Sequence, residues 1–572
     1  MNNGKICVSV CSETADEMIA KIKQAEEFAD VVEVRFDCLA DSEFDRSLEL
    51  LKNLDCKKPL LATLRPNENA DLTPAKVLWR KRDKIKKELY LIESPKRFRR
   101  WFDILDIESI RYVDFEYDIH AKLSWCMWFV DFWDNGYEAK PERELAAKLK
   151  DRNLILSEHY FLREKIDLDE IYRRLVPRER ESELKDPNFV EELLYIVPEI
   201  IKIAATSDDI TDTILMWNLL KRANSENQKI IPIAMGDAGK WTRILGLAHD
   251  AYMTYASLES GNETAPGQVT AKDLVEVYRV KDLDKDTQVF GVIGDPVAQS
   301  ISPYMHNPAF VDRGINAVFL SLLVKNIDEF IRRMVRPETR EVELNFAGFS
   351  VTMPHKQAII PHLDAIDPTA KAIGAVNTVK ITNGKLTGYN TDAHGFITPL
   401  KEKYGDVKDA KVAVFGAGGA ARACVYALKQ EGANVTVFAR DAAKGKAFAD
   451  EFGVKFSEIS DGQDPKVKDQ RPKTILSDFD ILVDTTPLGM KGEHENDSLF
   501  TADELKGLKF VYDLVTKTTD TPLIAEAKNA GIPSTGGLDM LIAQGCKQFE
   551  IWTGYEAPAK LMRDSLVVRM PK

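Results

Sequence analysis

The first half of the chain alternates short apolar runs with longer stretches of helical periodicity. The runs are rich in β-branched residues, and sequences such as ADEMIAKIKQAEEFAD, with apolar residues three and four positions apart, separate them. Eight strands that alternate with helices in this way predict a (β/α)8 barrel. The predicted strands are ICVSVCS (6–12), VVEVRFDC (31–38), LLATLRP (60–66), YVDFEYD (112–118), LILSEHYF (154–161), IIKIAATS (200–207), IIPIAMG (230–236) and MTYASLES (253–260).

Polar side chains gather late in several of these runs, and the carboxyl ends of barrel strands hold the active site. Lys202 lies in the sixth run and His159 in the fifth. Burial disfavours the charged form of a lysine, and a neutral lysine can attack a ketone to form a Schiff base. The alternative is a structural lysine at the strand end that snorkels toward solvent or pairs with Glu33 or Glu116. Because we expect His159 at a corresponding height on the neighbouring strand, as a proton shuttle, we favour the catalytic interpretation.

The hydrophobic rhythm changes at VYRVKDLDKDTQ (277–288), where the charged KDLDKD segment predicts a linker. A further α/β stretch leads to VFGAGGAARACVYAL (414–428), which predicts a strand, a glycine turn and an alanine-rich helix. Within it, GAGGAA (416–421) fits the GxGxxA pattern, in which the amino terminus of the helix faces the phosphates of a dinucleotide.

Two cations after the next predicted strand indicate which dinucleotide binds. Arg440 and Lys444 suit the 2′-phosphate of NADP, whereas an NAD site would carry an acidic residue at the strand end. The alternative is a solvated basic start of a helix. Asp441 lies between the two cations, and we expect it to cap that helix.

Composition and charge exclude several classes of function. At 572 residues the chain is too long for one compact core. A net charge of −13 argues against nucleic acid as the main partner, and no apolar run is long enough to predict a membrane span. The amino terminus does not read as a signal peptide, and seven cysteines without a CxxC pair predict reduced thiols in the cytoplasm. The eight scattered histidines predict no metal site.

Over roughly residues 5–275 the sequence resembles the type I 3-dehydroquinate dehydratases. The resemblance is carried by VEVRFD (32–37), ILSEHYF (155–161), IIKIAATS (200–207), MGDAGKWTRIL (235–245) and TAPGQ (264–268). It implies that Lys202 forms the Schiff base with the substrate ketone and that His159 moves the proton. It also implies substrate-binding positions at Ser9, Glu33, Arg35, Arg65, Arg243, Thr264 and Gln268. Two departures concern this site: Thr264 replaces a serine, and in RPNEN Asn69 replaces a glutamate, with Glu68 one residue early.

Over roughly residues 288–570 the sequence resembles the shikimate dehydrogenases, through SISP (300–303), TMPHK (352–356), GAVNT (374–378), GYNTDAHG (388–395) and GAGGAA. The resemblance implies that Lys356 and Asp392 form a catalytic pair next to the reacting oxygen. It implies that Ser300, Ser302, Thr352, Asn377, Asp392 and Gln544 bind the substrate. The implied cofactor positions are Gly416, Ala417, Gly418, Gly419, Ala420, Ala421, Arg440, Lys444, Thr485, Leu514 and Gly537. One departure is Thr516, which replaces a tyrosine.

The two resemblances concern consecutive reactions. They imply a bifunctional enzyme that dehydrates 3-dehydroquinate to 3-dehydroshikimate and reduces this product to shikimate with NADPH. The expected architecture is α/β, with a (β/α)8 barrel (1–278), a substrate-binding lobe (288–400) and a Rossmann-like NADP-binding lobe (401–572) against which a last helix packs back. We expect small-molecule substrates and no obligatory protein partner. Three alternatives stay open: an inactive barrel that stabilises the dehydrogenase, a dehydrogenase half that prefers quinate and NAD, and a Schiff-base aldolase fused to another dehydrogenase.

Overall fold

The protein divides into two compact units, Met1–Lys285 and Asp286–Lys572, in a computed structural model. Glu68 and Asn69, and the side chain of Glu116, lie outside the described residues. The structure describes residues 2–65, 95–116, 148–149, 152–160, 167–176, 199–458 and 476–569.

A curled parallel sheet forms the first unit. Its strands are β1 Lys5–Val10, β2 Val31–Arg35, β3 Leu60–Thr63, β4 Ile110–Glu116, β5 Asn153–Tyr160, β6 Ile200–Thr206, β7 Lys229–Met235, β8 Met253–Ser257 and the short β9 Val269–Thr270. Neighbours follow chain order from β1 to β7, and β8 pairs with β1. The N–H of Tyr252 donates to the carbonyl of Ile230 at 2.9 Å, so β8 also meets β7. This strand order is that of a (β/α)8 barrel and confirms the predicted fold class.

Helices alternate with these strands because their apolar residues recur at three- and four-residue spacing. In the first helix Ala15, Met18, Ile22 and Ala25 are buried, and Thr14 caps its amino end. The α-helices in the described part of this unit are α1 Ala15–Ala25, α2 Phe44–Lys52, α3 Pro95–Leu105, α4 Leu168–Leu175, α5 Ile214–Ser225 and α6 Lys240–Leu245.

A disulfide joins Cys11 to Cys38, so the prediction of reduced thiols is wrong for this pair. Parallel pairing of β1 with β2, with Val10 opposite Val34, brings the segments that follow both strands together. The two Cα atoms lie 5.4 Å apart, which is within the range that a disulfide spans. Cysteine spacing alone did not reveal this, because the residues are 27 positions apart.

The second unit contains two sheets. The first has the order β11-β10-β12-β14-β15-β13 and is mixed, whereas the second, β18-β17-β16-β19-β20-β21, is entirely parallel, as in doubly wound dinucleotide-binding folds. The strands are β10 Gln288–Gly294, β11 Ala317–Leu323, β12 Phe346–Val351, β13 Ala365–Ile366, β14 Thr378–Thr382, β15 Lys385–Tyr389, β16 Lys411–Phe415, β17 Asn434–Ala439, β18 Lys455–Glu458, β19 Ile481–Asp484, β20 Phe510–Asp513 and β21 Ser534–Thr535.

Two carboxyl-terminal helices complete the core beside the mixed sheet. Phe549, Trp552, Met562 and Leu566 pack in one cluster with Phe290 of β10. None of the helices among the described residues has the length and apolar character that crossing a membrane requires. The helices of this unit are α7 Ser302–Asp312, α8 Ile327–Phe330, α9 His355–Ala358, α10 Pro368–Ile373, α11 Asp392–Tyr404, α12 Gly419–Gln430, α13 Ala442–Phe452, α14 Ala502–Leu505, α15 Pro522–Asn529, α16 Gly537–Thr553 and α17 Ala559–Arg569.

Candidate active sites

The inner face of the barrel sheet changes from apolar to polar toward the carboxyl ends of its strands. Along β6, Ile200 belongs to the apolar cluster inside the barrel, and Lys202 follows it on the same face. The same two-residue step leads from Tyr112 to Asp114 on β4. Strand periodicity therefore collects polar side chains above an apolar floor.

Lys202 is buried and forms an ion pair inside the barrel. Its Nζ donates to Oδ2 of Asp114 at 2.7 Å, and only 4% of the lysine side chain is exposed. Burial alone would raise the pKa of the Asp114 carboxyl, but Arg65 and Lys202 reverse this and hold it well below its ordinary value. Among the described residues the partner of the lysine is thus Asp114 and not Glu33, whereas the side chain of Glu116, the other partner that the structural alternative supposed, lies outside them.

Arg65 connects this ion pair to His159. Its Nη2 donates to the same Oδ2 of Asp114 at 3.0 Å, and its Nη1 donates to the hydroxyl of Ser157 at 3.1 Å. Both nitrogens also lie 3.3 Å from ring nitrogens of His159. Burial lowers the pKa of the His159 imidazole well below its ordinary value, and the neighbouring cations Arg65 and Lys202 lower it further. The imidazole is therefore neutral near pH 7 and able to accept a proton.

The expected equal height of His159 and Lys202 is wrong. In the register of β5 and β6, Ser157 lies opposite Lys202, and His159 lies opposite Ala204. The imidazole thus stands one side-chain step nearer the mouth of the barrel than the lysine. Arg65 bridges this offset, because it contacts both His159 and the carboxylate that holds Lys202.

The residues predicted on the first two strands form a neighbouring network. The carboxylate of Glu33 is buried and accepts hydrogen bonds from Ser9 at 2.5 Å and from Thr63 at 2.8 Å. Arg35 does not join it, since its guanidinium forms a two-pronged pair with Asp37 at 3.0 and 2.6 Å. Ser9 and Glu33 are therefore brought together, whereas Arg35 is held by a local partner.

Arg243 and the loop at residues 264–268 form a third group. The Arg243 guanidinium is buried, and its contacts are to backbone carbonyls of Tyr255 and Pro266, each at 3.4 Å. Burial lowers the pKa of Arg243 to about 10. Within the loop, Gln268 Nε2 donates to the hydroxyl of Thr264 at 3.1 Å, so the threonine that replaces a serine keeps a polar contact. Among the described residues, no carboxylate neutralises Arg243 and its Nε has no hydrogen-bond partner, so its surroundings fit an anionic ligand.

In the second unit Lys356 and Asp392 form the predicted pair. Lys356 Nζ donates to Oδ2 of Asp392 at 2.6 Å, and Asn377 donates to Oδ1 of the same carboxylate at 2.7 Å. The amide is itself fixed, because Asn377 Oδ1 accepts from the N–H of Thr391 at 2.8 Å. The lysine side chain is 25% exposed, so the pair opens toward solvent.

Of the other predicted substrate positions, one is hydrogen-bonded to the network of Lys356, Asp392, Asn377 and Thr391, and among the described residues three are not. The hydroxyl of Thr391 donates to Gln544 at 3.4 Å, which ties Gln544 to the lysine–aspartate pair. Ser302 donates its N–H to the hydroxyl of Ser300 at 3.4 Å, and Thr352 follows β12, with its N–H bonded to Ile293. No hydrogen bond in the described part of the chain joins these three residues to Lys356.

The glycine turn has the geometry that a dinucleotide requires. Gly416 has φ +109°, and a Cβ there would lie 2.3 Å from the hydroxyl of Thr485, so the turn needs glycine. At Gly418 and Gly419 a Cβ would meet no atom within 4 Å, which leaves open space at the amino end of α12. Ala417, Ala420 and Ala421 complete the turn, and Ala421 is buried. The turn therefore fits the pyrophosphate of NADP.

The remaining predicted cofactor positions divide into exposed cations and a tightly packed glycine. Arg440 and Lys444 are exposed at the start of α13, and Asp441 caps that helix through the N–H of Lys444, as predicted. Gly537 packs so tightly that a Cβ would lie 2.1 Å from the carbonyl of Leu514. Thr516, which replaces a tyrosine, follows β20 and is exposed.

Several polar residues of these networks were absent from the predicted sites. Asp114 and Ser157 share the inward face with Lys202 and His159, so two-residue periodicity could have found them. Gln548 follows Gln544 by one helical turn and donates to the carbonyl of Asn377 at 3.2 Å. No arrangement of His, Cys, Asp and Glu among the described residues suits a metal ion. The residues without a predicted role are Thr63, Asp114, Ser157, Thr391 and Gln548.

Models of four protein domains match the chain. They are type I 3-dehydroquinase (residues 6–176 and 179–285), the substrate-binding domain of shikimate dehydrogenase (292–379), shikimate/quinate 5-dehydrogenase (399–486) and the carboxyl-terminal domain of shikimate 5′-dehydrogenase (537–567).

Relatives match either the whole chain or its second half. A chloroplastic bifunctional 3-dehydroquinate dehydratase/shikimate dehydrogenase of Arabidopsis thaliana is 32% identical over 98% of this chain and 84% of its own length. A shikimate dehydrogenase (NADP(+)) of Methanopyrus kandleri is 40% identical over 50% of this chain and 97% of its own. A crystal structure of a shikimate dehydrogenase in complex with NADP+ is 36% identical, covers 51% of this chain and 98% of its own, and has a TM-score of 0.45.

Proposed function

The chain belongs to the family of bifunctional 3-dehydroquinate dehydratase/shikimate dehydrogenases, and from this premise we propose a role for each group of site residues. The first unit is a type I 3-dehydroquinate dehydratase, a lyase, and the second is an NADP-dependent shikimate dehydrogenase. Together they convert 3-dehydroquinate to 3-dehydroshikimate and then, with NADPH, to shikimate.

Lys202 is proposed as the nucleophile of the dehydration. Its amine attacks the ketone carbon, a C–N bond forms, and the ketone oxygen leaves as water to give a cationic iminium. The supporting observation is the buried contact between Lys202 and Asp114 within reach of Arg65 and His159. The iminium accepts the electrons released when a proton is removed from the adjacent carbon.

His159 is proposed to remove that proton and to return one to the departing hydroxyl. Its lowered pKa supports this role, since a neutral imidazole is needed to accept a proton. Asp114 is unsuited to the task because two cations keep it ionised and weakly basic. Arg65 is proposed to orient the imidazole, and Ser9, Glu33 and Arg35 to contact substrate hydroxyls at the same mouth.

Arg243 is proposed to bind the substrate carboxylate, with Thr264 and Gln268 beside it. The guanidinium is buried without an ionised partner among the described residues, and a carboxylate would supply the missing charge through a two-pronged contact. The expected effect of Arg243→Met is therefore a rise in KM for 3-dehydroquinate larger than the fall in kcat.

Lys356 and Asp392 are proposed to complete the reduction. When bound, NADPH supplies a hydride to the carbonyl carbon of 3-dehydroshikimate. The Lys356 ammonium, hydrogen-bonded to Asp392 at 2.6 Å, stands ready to give a proton to the carbonyl oxygen. Asn377 orients the carboxylate, and Ser300, Ser302, Thr352 and Gln544 are proposed to hold the substrate.

The proposed NADP site comprises the glycine turn and the two exposed cations. Residues 416–421 receive the pyrophosphate at the amino end of α12, and Arg440 with Lys444 binds the 2′-phosphate. Thr485, Leu514 and Gly537 line the cleft where the parallel strands β19 and β20 end. Replacing Arg440 with Ala is expected to lower the preference for NADPH over NADH by about tenfold or more.

A coupled assay tests both active sites. Wild type should consume NADPH when given 3-dehydroquinate. The Lys202→Met variant should lose this and still reduce added 3-dehydroshikimate, whereas Lys356→Met should dehydrate and not reduce. Lys229→Met is the matched control, since Lys229 is a half-exposed barrel lysine at the other end of its strand. NADPH consumption by Lys202→Met from 3-dehydroquinate would contradict the role of Lys202. Parallel assays with quinate and NAD test the substrate and cofactor preference.

We also propose that the protein acts in the cytoplasm on small molecules, without nucleic-acid or membrane partners. The net charge of −13 supports the absence of a nucleic-acid partner, because nucleic acid is itself strongly negative. The name of the Arabidopsis relative places that protein in the chloroplast. Fractionation of cells that express the full chain, with activity measured in each fraction, tests the location.

A further inference from the structure

Tyr255 lies against the proposed Schiff-base lysine. Lys202 Nζ is 4.0 Å from the centroid of the Tyr255 ring, a distance at which the ring face attracts a cation. The tyrosine is 3% exposed and belongs to the cluster inside the barrel, with Cys7 opposite it in the register of β1 and β8. Its hydroxyl has no hydrogen-bond partner in the part of the chain that the structure describes. The ring, not the hydroxyl, therefore makes its contact with the site.

The charges around Lys202 are unequal, and the ring of Tyr255 compensates for part of the difference. Asp114 is the one carboxylate that bonds the ammonium in the described residues, and it also bonds Arg65, so two cations share one anion. The quadrupole of an aromatic face supplies further negative potential without adding a group that can take the proton. The titratable groups that interact with Lys202, Asp114 or Tyr255 from the surrounding strands are Cys7 on β1, Glu33 on β2, Arg65 after β3 and His159 on β5.

We propose that Tyr255 is a positioning residue for the dehydration, whose ring face stabilises the cationic forms of the Lys202 nitrogen. This inference rests on the proposed role of Lys202. A neutral amine gains little from the ring, whereas the iminium does gain from it. In forming the iminium, the neutral amine and the ketone take up one proton and release one water, so the nitrogen becomes positive. The ring thus favours that step over return to the neutral amine.

Tyr255→Leu removes the ring and keeps an apolar side chain. Two effects are expected. The acid limb of the pH profile of kcat/KM moves to lower pH, because less of the free lysine is protonated at a given pH. On the alkaline side of that profile, the concentration of 3-dehydroshikimate that gives half-maximal borohydride trapping at Lys202 rises about tenfold, as loss of a desolvated cation–π contact implies.

Two further variants separate the ring from other causes. Tyr255→Phe keeps the face and removes the unpartnered hydroxyl, so its shift in trapping should be smaller than about threefold. Tyr112→Leu removes a ring from the same apolar cluster, at 7% exposure, without contact to Lys202. It should lower stability and move neither the pH profile nor the trapping curve.

Mass spectrometry of the reduced adduct gives the readout in the full chain. Equal trapping curves and superimposable pH profiles for wild type and Tyr255→Leu would overturn the proposal, as would equal shifts in Tyr255→Leu and Tyr112→Leu. Failure of wild type to form any adduct at Lys202 would instead refute the proposed Schiff base. The two failures are therefore distinguishable.

Discussion

Two carboxylates face each other at the ends of neighbouring strands in the cofactor lobe, and no described residue forms an ion pair with Asp484. Asp484 of β19 lies opposite Asp513 of β20, and each is 1% exposed. Oδ1 of Asp484 accepts from the N–H of Thr486 at 2.8 Å, whereas its Oδ2 has no partner among the described residues. Burial, and then the charge of Asp513, raises the pKa of Asp484 to about 7. Replacing Asp484 with Asn should therefore stabilise the lobe at alkaline pH.

The magnitude follows from linkage. The native pKa lies above the ordinary value of 3.8, so the unfolded chain ionises first as the pH rises. The carboxyl costs nothing below pH 3.8, costs progressively more up to pH 7, and costs a constant amount above it. The difference between about 7 and 3.8 corresponds to about 4 kcal/mol, of which about 3 kcal/mol arises between pH 5 and pH 7. An amide does not ionise and avoids this cost.

Hydrogen exchange followed by mass spectrometry measures the effect in the full chain. Peptides that cover β16, β19 and β20 report the opening free energy of this sheet, and comparison of wild type with Asp484→Asn at one pH cancels intrinsic exchange rates. The advantage of the variant should be larger at pH 8.5 than at pH 5.0 by about 3 kcal/mol.

Asp480 supplies a control of opposite sign in the same sheet. A hydrogen bond from Lys509 lowers its pKa, so Asp480→Asn should lower the stability of the sheet by the same amount at pH 5.0 and at pH 8.5, because both values lie above the ordinary pKa of an aspartate. An equal gain for Asp484→Asn at both pH values, or a loss at pH 8.5, would refute the account of a buried, partly protonated pair.

Three further predictions concern other parts of the chain. His306 is buried with both ring nitrogens unpartnered among the described residues, and burial lowers its pKa to about 3. The contribution of this neutral histidine to the unfolding free energy is complete above pH 6.5 and falls below that pH, because the unfolded chain then binds the proton first. His306→Phe should therefore gain about 2 kcal/mol of stability over wild type at pH 5 relative to pH 7, by the same exchange measurement. Replacing Cys11 and Cys38 with Ser opens a loop of 27 residues and should lower the unfolding free energy of the first unit by about 3–4 kcal/mol in urea titrations, with no further loss on adding dithiothreitol. Gly537→Ala places a Cβ 2.1 Å from the carbonyl of Leu514 and should raise KM for NADPH about tenfold while dehydration is unchanged; an unaltered KM would contradict the cofactor cleft.

Much of the fold could be predicted because its signals are local. Each barrel strand is a run of β-branched residues between helical stretches, and each of the eight predicted runs overlaps a strand of the structure. The glycine turn, and the cap formed by Asp441, also depend on adjacent residues. Lys202 and His159 could be singled out as candidates because polar residues are rare late in apolar strands, and the structure joins both to Arg65 and Asp114.

The contacts between these elements could not be predicted in the same way. Three contacts depend on registers between strands far apart in the sequence: the bond of Asp114 to Lys202, the place of His159 one side-chain step above Lys202, and the packing of Tyr255 against Lys202. A shift of two residues in one strand would keep every pattern of alternation and change every partner.

The sequence by itself therefore determined which segments become strands and helices, and which reactive side chains point inward. Only the tertiary structure decided the ion pairs, the Cys11–Cys38 disulfide and the meeting of Asp484 with Asp513. The physical reason is that periodicity acts over neighbouring residues, whereas register is set by packing of the whole sheet against its helices.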